Sequence, residues 1–480
     1  MNGTASKSTL VMKFGGTSVG SPKAMAQAAG IVGGTLPAWP RLVVVVSALS
    51  GVTDSLLNSA RAALQGDAGS ALRAAGELAA LHTSMIDELV MDAAQNAAVR
   101  AEIDRLIAEF SSLCRAIAVL GEATPRALDA VVSLGERMSA RLMAAALVSA
   151  GIPARAVDAT ACIITDDGYQ AAHPDFAATA EATRATLLPI LAAGQVAVVT
   201  GFIGATRSGV TTTLGRGGSD YTAAILGAAL PADEVWIWTD VDGVMTTDPR
   251  LAPDARTIPE LSFREVSELA YFGAKVLHPK TIRPVIEAGI GLRVCNTFNP
   301  AHPGTRVYSD TSAPQAGVVK AVTAVRGQSL ITVEGRGMLG VPGVAARTFG
   351  AVAAIGISVP LITQASSEQS ICFAVPVEAA ERVIAALKTA FTHEIEERDI
   401  DRVWTSPEVA IITVVGAGLR STPGVAGRIF GALGERQVNV IAIAQGSSEV
   451  AISLVVSSEE VRPAVLALHE LILKNGWRKP

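Results

Sequence analysis

Lys13-Phe14-Gly15-Gly16-Thr17-Ser18 closes a short apolar run, and its residue types suit the handling of phosphate. Two adjacent glycines let backbone N–H groups approach a phosphate closely, and a helix starting after them adds its dipole. Lys13 supplies a mobile positive charge for a phosphoryl group in transfer. A plain strand-to-helix turn with a solvated lysine would carry the same residues, so this segment alone leaves both readings open. It is not a Walker A loop, because neither GxxxxGKS nor GxxxxGKT occurs in the chain.

Three further segments carry related chemistry. Thr211-Thr212-Thr213-Leu214-Gly215-Arg216-Gly217-Gly218-Ser219-Asp220 has three glycines within four residues, between hydroxyls and an aspartate. Arg216 offers a fork that fits a carboxylate bidentately, and the glycines and hydroxyls make an anion nest. Trp238-Thr239-Asp240-Val241-Asp242-Gly243-Val244-Met245 runs on to Asp248-Pro249-Arg250. Its polar groups suit a nucleotide ribose or base, with Arg250 near the phosphates; a loop stiffened by Asx turns is the alternative. In Phe272-Gly273-Ala274-Lys275-Val276-Leu277-His278-Pro279, Lys275 is a candidate second phosphate clamp, and His278 reads as a packed histidine.

Rigid elements are needed to hold these segments. Residues 9–14 and 42–47 read as buried strands, short and largely apolar, with Pro22 to Gly34 at helical spacing between them. Strand, glycine turn, helix, strand opens an α/β domain with a largely parallel sheet. From about Leu56 to Ala150 the chain is rich in Ala, Leu and Glu, which predicts a helical layer. Strands return at 196–200 and 235–239, each before a loop of the kind where α/β folds place ligands.

The 480 residues imply about three domains. Half are apolar and 17% are charged, enough for several cores. A net charge of −5 argues against a nucleic-acid partner. Cys114, Cys162, Cys295 and Cys372 are scattered and form no zinc spacing, which predicts reduced thiols and a cytoplasmic compartment. The N-terminus shows no secretory signal, and the charge-poor stretch Ala185 to Thr206 is broken by Pro189, Gly194 and Gly201, so no membrane span is expected.

Beyond a turn-rich boundary at 299–304 lies an internal repeat with a constant offset of 81 residues. Pro342 pairs with Pro423, Phe349 with Phe430, and Gln364 with Gln445. Each copy reads strand, Gly/Pro loop, helix, strand, loop, strand. Gly335-Arg336-Gly337-Met338-Leu339-Gly340 matches a dinucleotide fingerprint, but its repeat copy lacks the third glycine, so an effector loop is the better account.

In this order, KFGGTSV, VVSALSGVTD, SLGERMSARL, GRGGSDYTA, WTDVDGV with TTDPR, and FGAKVLHP resemble the aspartate kinase branch of the amino-acid kinase family. The similarity covers nearly the whole chain, and the repeat is similar to that family's paired ACT domains. The resemblance implies an α/β, three-layer amino-acid kinase fold with a largely parallel central sheet, followed by two α+β ferredoxin-like ACT domains. It places a catalytic domain at 1–305, a linker and first strand of the second ACT unit at 306–325, and ACT domains at 326–403 and 404–480. One ACT unit is inserted in the other, so a short strand near 317–325 completes the last.

The resemblance also implies roles. Lys13, Gly15, Gly16 and Lys275 would hold the ATP phosphates, and Thr239, Asp240, Met245 and Arg250 would help bind the nucleotide. Relatives often carry Tyr where this chain has Met245. Thr53, Glu136, Phe202, Arg216 and Ser219 would surround aspartate, with Glu136 suited to its ammonium. Asp220 would join Lys13 and Lys275 in catalysis. ATP and Mg²⁺ are the expected cofactors, with no metal held by the protein alone. The expected reaction forms 4-phospho-L-aspartate, the first step towards lysine, threonine and methionine. LITQASSE and AIAQGSSE look most like the threonine-sensing aspartokinase–homoserine dehydrogenase type, so Met338, Gln364 and Gln445 are effector candidates. Threonine is the first choice of effector and lysine the second. A chain ending at Pro480 is expected to be monofunctional, and a homo-oligomer through the ACT domains is expected. The nearest alternatives are another amino-acid kinase, such as a glutamate 5-kinase or acetylglutamate kinase, and a weakly catalytic ACT sensor.

Overall fold

Strands Thr9–Phe14 and Arg41–Val46 are apolar at nearly every position because helices cover both faces of the sheet they build. The computed structural model describes residues 8–272, 277, 279–308, 318–338, 341–364, 369–445 and 450–474. The chain divides into two units. The first is Met1–Val244 with Thr257–Phe263 and Val276–Ser309; the second is Met245–Arg256 with Arg264–Lys275 and Asp310–Pro480.

The first unit is built on an eight-stranded sheet. Its order is Ala154–Val157, Val196–Thr200, Arg41–Val46, Thr9–Phe14, Glu234–Thr239, Gly291–Asn296, Thr305–Tyr308, Glu260–Ser262. The first six strands pair in parallel, and Gly291–Asn296 pairs antiparallel to Thr305–Tyr308. Thr9–Phe14 lies at the switch point, with its sequence successor on one side and Glu234–Thr239 on the other. Such points open a crevice at the carboxyl ends of the strands.

The expected helical layer is four helices: Val52–Leu64, Ala68–Leu89, Ala93–Leu120 and Pro125–Ser149. Asp67, Asp92 and Thr124 cap the last three by accepting from the N–H groups of Ser70, Gln95 and Ala127. Leu56, Phe110, Leu134, Met138 and Leu142 from these helices join Leu10, Met12 and Phe14 in one core. Burial on this scale contributes roughly 25 cal/mol per Å² of apolar surface. The charge-poor stretch Ala185 to Thr206 contains the end of helix Phe176–Ala192 and strands Val196–Thr200 and Ile203–Thr206.

The second unit is built on a seven-stranded antiparallel sheet. Its main path is Leu361–Gln364, Ser370–Pro376, Val318–Glu334, Val409–Ala417, Ala451–Ser457, Ala442–Ala444. Arg402–Thr405 also pairs with Val318–Glu334. The short strand expected near 317–325 is instead one strand of 17 residues running on to Glu334. Its first part pairs with Val409–Ala417 and its second with Ser370–Pro376. Irregularities between Val319 and Ala321 and between Val325 and Gln328, with Gly327 at φ +69°, let it bend and change partner without ending.

The duplication is visible in detail. Helices Val344–Ala354 and Val425–Glu435 both start after a left-handed glycine, Gly343 at φ +92° and Gly424 at φ +83°. Met338 and its counterpart Leu419 are both buried, each in the core of its own copy. Two segments that lie early in the sequence belong to this unit. Thr246 Oγ1 lies 2.9 Å from His469 Nε2, and Lys320 pairs with the buried Glu265 at 2.9 Å. Phe272 packs with Leu330, Leu361 and Ile411. Among the described residues, no helix is long and apolar enough to cross a membrane.

Candidate active site

Four strand ends of the first unit deliver the candidate residues. Thr9–Phe14 carries Lys13 and leads to Gly16; Arg41–Val46 leads to the 47–51 turn; Val196–Thr200 leads to Phe202; Glu234–Thr239 ends on Thr239. A cleft of about 550 Å³ is lined by Lys13, Gly16, Thr53, Glu136, Phe202 and the 215–220 segment that holds Arg216, Ser219 and Asp220. Residues far apart in sequence therefore meet in one place.

Lys13 Nζ lies 2.7 Å from Asp220 Oδ1. Gly15 lies against that amine, at a distance where a Cβ would be in ordinary contact with Lys13 Nζ, 3.4 Å. The expectation of free amides and a helix dipole at this turn needs correction. The Gly15 N–H donates to Trp238 O at 3.2 Å, and the helix that follows, Gly16–Val19, is a single turn. The long helix Pro22–Thr35 begins only after Ser21 caps it. A different helix presents its start to the cleft. Gly218–Ala229 follows Gly217 at φ +68° and has no side-chain cap; its Gly218 N–H donates to Gly215 O at 2.9 Å, and the rest of its first turn and its dipole favour an anion.

Glu136 sits on helix Pro125–Ser149 and is 3% exposed. Its Oε1 accepts from the Ala48 N–H at 3.2 Å, and its buried Oε2 has no hydrogen-bond partner. Burial away from water pushes this carboxyl up to about 8. An acid held this way awaits a donor. Arg216 is exposed and has no ion pair among the described residues. Thr53 stands in the first turn of helix Val52–Leu64, which starts after Gly51 at φ +81°.

Phe202 adopts a left-handed backbone, φ +68°, that a bulky residue takes only under constraint. Its N–H donates to Thr222 Oγ1 at 3.0 Å, and its carbonyl accepts from Leu214 N–H at 2.8 Å. The ring fills the space that a Cβ on Gly218 would need, 2.5 Å from its Cδ2. Ser219 is nearly buried, against Gly201.

Gly15, Thr239 and Asp240 lie outside the cleft lining. Trp238 pairs in register with Phe14, so Thr239 emerges beside the Lys13–Gly16 turn, with its Oγ1 3.2 Å from Asp240 Oδ1. Met245 and Arg250 belong to the second unit. The Arg250 fork is held by Asp248, at 3.0 Å through Nε and 2.6 Å through Nη2. Lys275 and His278 lie outside the described residues. Gln364 and Gln445 are exposed at equivalent positions of the two copies, whereas Met338 is a core residue and offers an effector no open side chain. The fingerprint glycines have a packing role, since Cβ atoms on Gly335 and Gly337 would meet Asp399 O and Asp399 Oδ1 at 2.1 and 2.4 Å.

Sequence reasoning missed two supports of this site. Ala48, in the cleft lining, supplies an N–H to Glu136. Asp129 is buried seven residues before Glu136, a helical spacing that could have exposed it.

The chain matches the model of the amino acid kinase family over residues 8–296 and that of the ACT domain over residues 331–391 and 412–471. It is 36% identical to the bifunctional aspartokinase/homoserine dehydrogenase of Haemophilus influenzae, across 97% of this chain and 56% of that protein. It spans about half the length of the bifunctional relatives it matches. It is also 36% identical to lysine-sensitive aspartokinase 3 of Escherichia coli, across 96% of this chain and 98% of that protein. The crystal structure of Escherichia coli aspartokinase III in complex with aspartate and ADP matches with a TM-score of 0.79 and 33% identity, covering 97% of this chain and all of that one.

Proposed function

The chain belongs to the amino acid kinase family, in its aspartokinase branch, and from that premise we propose that it transfers the γ-phosphoryl group of ATP to the side-chain carboxylate of L-aspartate. The observation that carries this reading is a pair of unmet groups in one cleft. Arg216 offers a fork without a carboxylate, and Glu136 Oε2 is a buried acceptor without a donor. An acidic α-amino acid brings a carboxylate and an ammonium to meet them, and keeps a second carboxylate to react.

The reacting carboxylate has an ordinary pKa of about 3.9, so it is ionised at neutral pH and needs no general base. The obstacle is repulsion between that anion and the triphosphate. Lys13, Arg216 and the uncapped start of helix Gly218–Ala229 oppose it with fixed positive potential. Asp220 in the cleft is already paired with Lys13, so Mg²⁺ would enter on the phosphate oxygens of ATP. Lys13 and Gly16 hold the phosphates in this reading, with Thr239 and Asp240 towards the nucleotide.

Residues 1–305 are read as the catalytic domain, with the ACT pair at 326–403 and 404–480 sensing an amino acid. The exposed Gln364 and Gln445 are the effector contacts, with threonine the first candidate and lysine the second. Ile362, Ile441 and Ile443 are exposed on or beside the edge strands Leu361–Gln364 and Ala442–Ala444, which supports pairing with a second copy. The four free cysteines support a cytoplasmic setting. The product would enter the route to lysine, threonine and methionine.

ADP release in the presence of ATP and Mg²⁺, measured with L-aspartate, L-glutamate or N-acetyl-L-glutamate, tests the reading. Release with aspartate alone is expected. Equal rates with glutamate, or no release with any acceptor, would refute it.

A further inference from the structure

We propose that Asp129 is a positioning residue that sets the spacing between the two ends of the amino-acid site, Glu136 and Arg216. Asp129 and Glu136 stand seven residues apart on helix Pro125–Ser149, so two turns and about 10.5 Å of rise separate them on nearly one face. Asp129 is 1% exposed. Its Oδ2 accepts from the Gln170 N–H at 3.0 Å and the Thr213 N–H at 2.9 Å, and its Oδ1 accepts from Thr213 Oγ1 at 2.9 Å.

Thr213 belongs to the segment that carries Arg216, and Gln170 to a loop packed against it. Thr213 ends strand Thr211–Thr213, one residue before Leu214 bonds to Phe202 and three before Arg216. Gln170, at φ +71°, lies beneath the arm: a Cβ on Gly215 would sit 3.2 Å from its carbonyl. Ala172 N–H adds a bond to Thr213 O at 2.9 Å. Arg137 of the same helix grips the far end of the strand through Thr211 Oγ1 at 3.2 Å. The helix that aims Glu136 into the cleft therefore also fixes the strand from which the arginine arm departs.

The chemistry of Asp129 favours a geometric role over a stabilising one. It has no cationic partner among the described residues, and burying a carboxylate without one is costly. Burial raises its pKa, and the three hydrogen bonds oppose that rise. An apolar residue would fill the space more cheaply, but would leave two backbone N–H groups unmet and the arm free to shift.

The inference rests on the aspartate kinase reading. Asp129→Ala is expected to raise the KM for aspartate roughly tenfold or more while the KM for ATP stays within about twofold. Asp129→Asn keeps an acceptor for both N–H groups and should recover most of the loss. Should Asp129→Ala fail to fold, Thr213→Val removes one bond and should raise the aspartate KM alone. Folded variants with unchanged aspartate KM, equal rises in both KM values, or no recovery in Asp129→Asn would overturn the inference. Calorimetric titration of the wild-type enzyme with aspartate separates the two ideas, because a wild type that binds no aspartate refutes the function itself and this inference with it.

Discussion

Lys13 Nζ and Asp220 Oδ1 lie 2.7 Å apart, and their contact joins the end of the central strand to the first turn of helix Gly218–Ala229. Both side chains are largely covered, at 11% and 17% exposure, so the ammonium keeps a set position instead of sweeping through solvent. The pair thus places one positive charge where the strand ends and the helix dipole converge. In the absence of Asp220 the lysine would gain freedom, and freedom at a reacting centre costs rate.

Lys13→Ala should lower kcat by about 10²–10³, the usual effect of removing one preorganised charge. Asp220→Asn should cost less, on the order of tenfold or more, because the lysine remains but is held loosely. Steady-state kinetics with aspartate and ATP would show both. A Lys13→Ala enzyme with near-normal kcat contradicts the assignment.

Glu136 links activity to pH. Its carboxyl, pushed up to about 8, is mostly protonated in the free enzyme at neutral pH, whereas an ammonium binds best to the ionised form. Affinity for aspartate should therefore rise between about pH 6 and pH 8 and then level off. Glu136→Gln should raise the KM for aspartate and flatten that profile.

The same residue makes a stability prediction of opposite sense. A carboxyl whose pKa is higher in the folded chain than in the unfolded one adds stability that is full below about 4.5 and is lost as pH rises through about 8. Glu136→Gln should then be more stable than wild type at pH 8.5, by on the order of a few kcal/mol at most, and show less gain at pH 5. Thermal melts at the two pH values measure this. An equal difference at both would contradict the burial argument.

Gly218 has a steric role. A Cβ there would meet Phe202 at 2.5 Å on the ring and 3.1 Å on its Cα, and Phe202 already sits at φ +68°. Gly218→Ala should cost about 1–3 kcal/mol of stability, as overpacking does, and lower kcat/KM for aspartate by roughly tenfold. Denaturant melts and kinetics together check it.

If the exposed amides contact the effector, inhibition by millimolar threonine should weaken in Gln364→Ala and Gln445→Ala while uninhibited kcat is kept. Identical inhibition curves for wild type and both variants would remove these residues from the effector site.

The parallel sheet was legible because buried strands such as Val196–Thr200 are continuous apolar runs bounded by breakers. The cleft was legible because its glycine- and charge-rich segments follow those strands. What stayed hidden depends on contacts between distant residues. No local pattern shows that Gly15 donates its amide to Trp238, that Val318–Glu334 runs unbroken through two shifts of register, or that Met338 packs inward. The orphaned Oε2 of Glu136 appears only when Ala48 and the helix are both in place.

The most direct measurement is hydroxylamine trapping of the product formed from L-aspartate, ATP and Mg²⁺, with the Lys13→Ala variant alongside. Aspartyl hydroxamate should accumulate with the wild-type protein and fall by at least about a hundredfold with the variant. Absence of any hydroxamate from the wild type, or equal yields from both proteins, would contradict the view that this cleft brings a carboxylate and a triphosphate together for reaction.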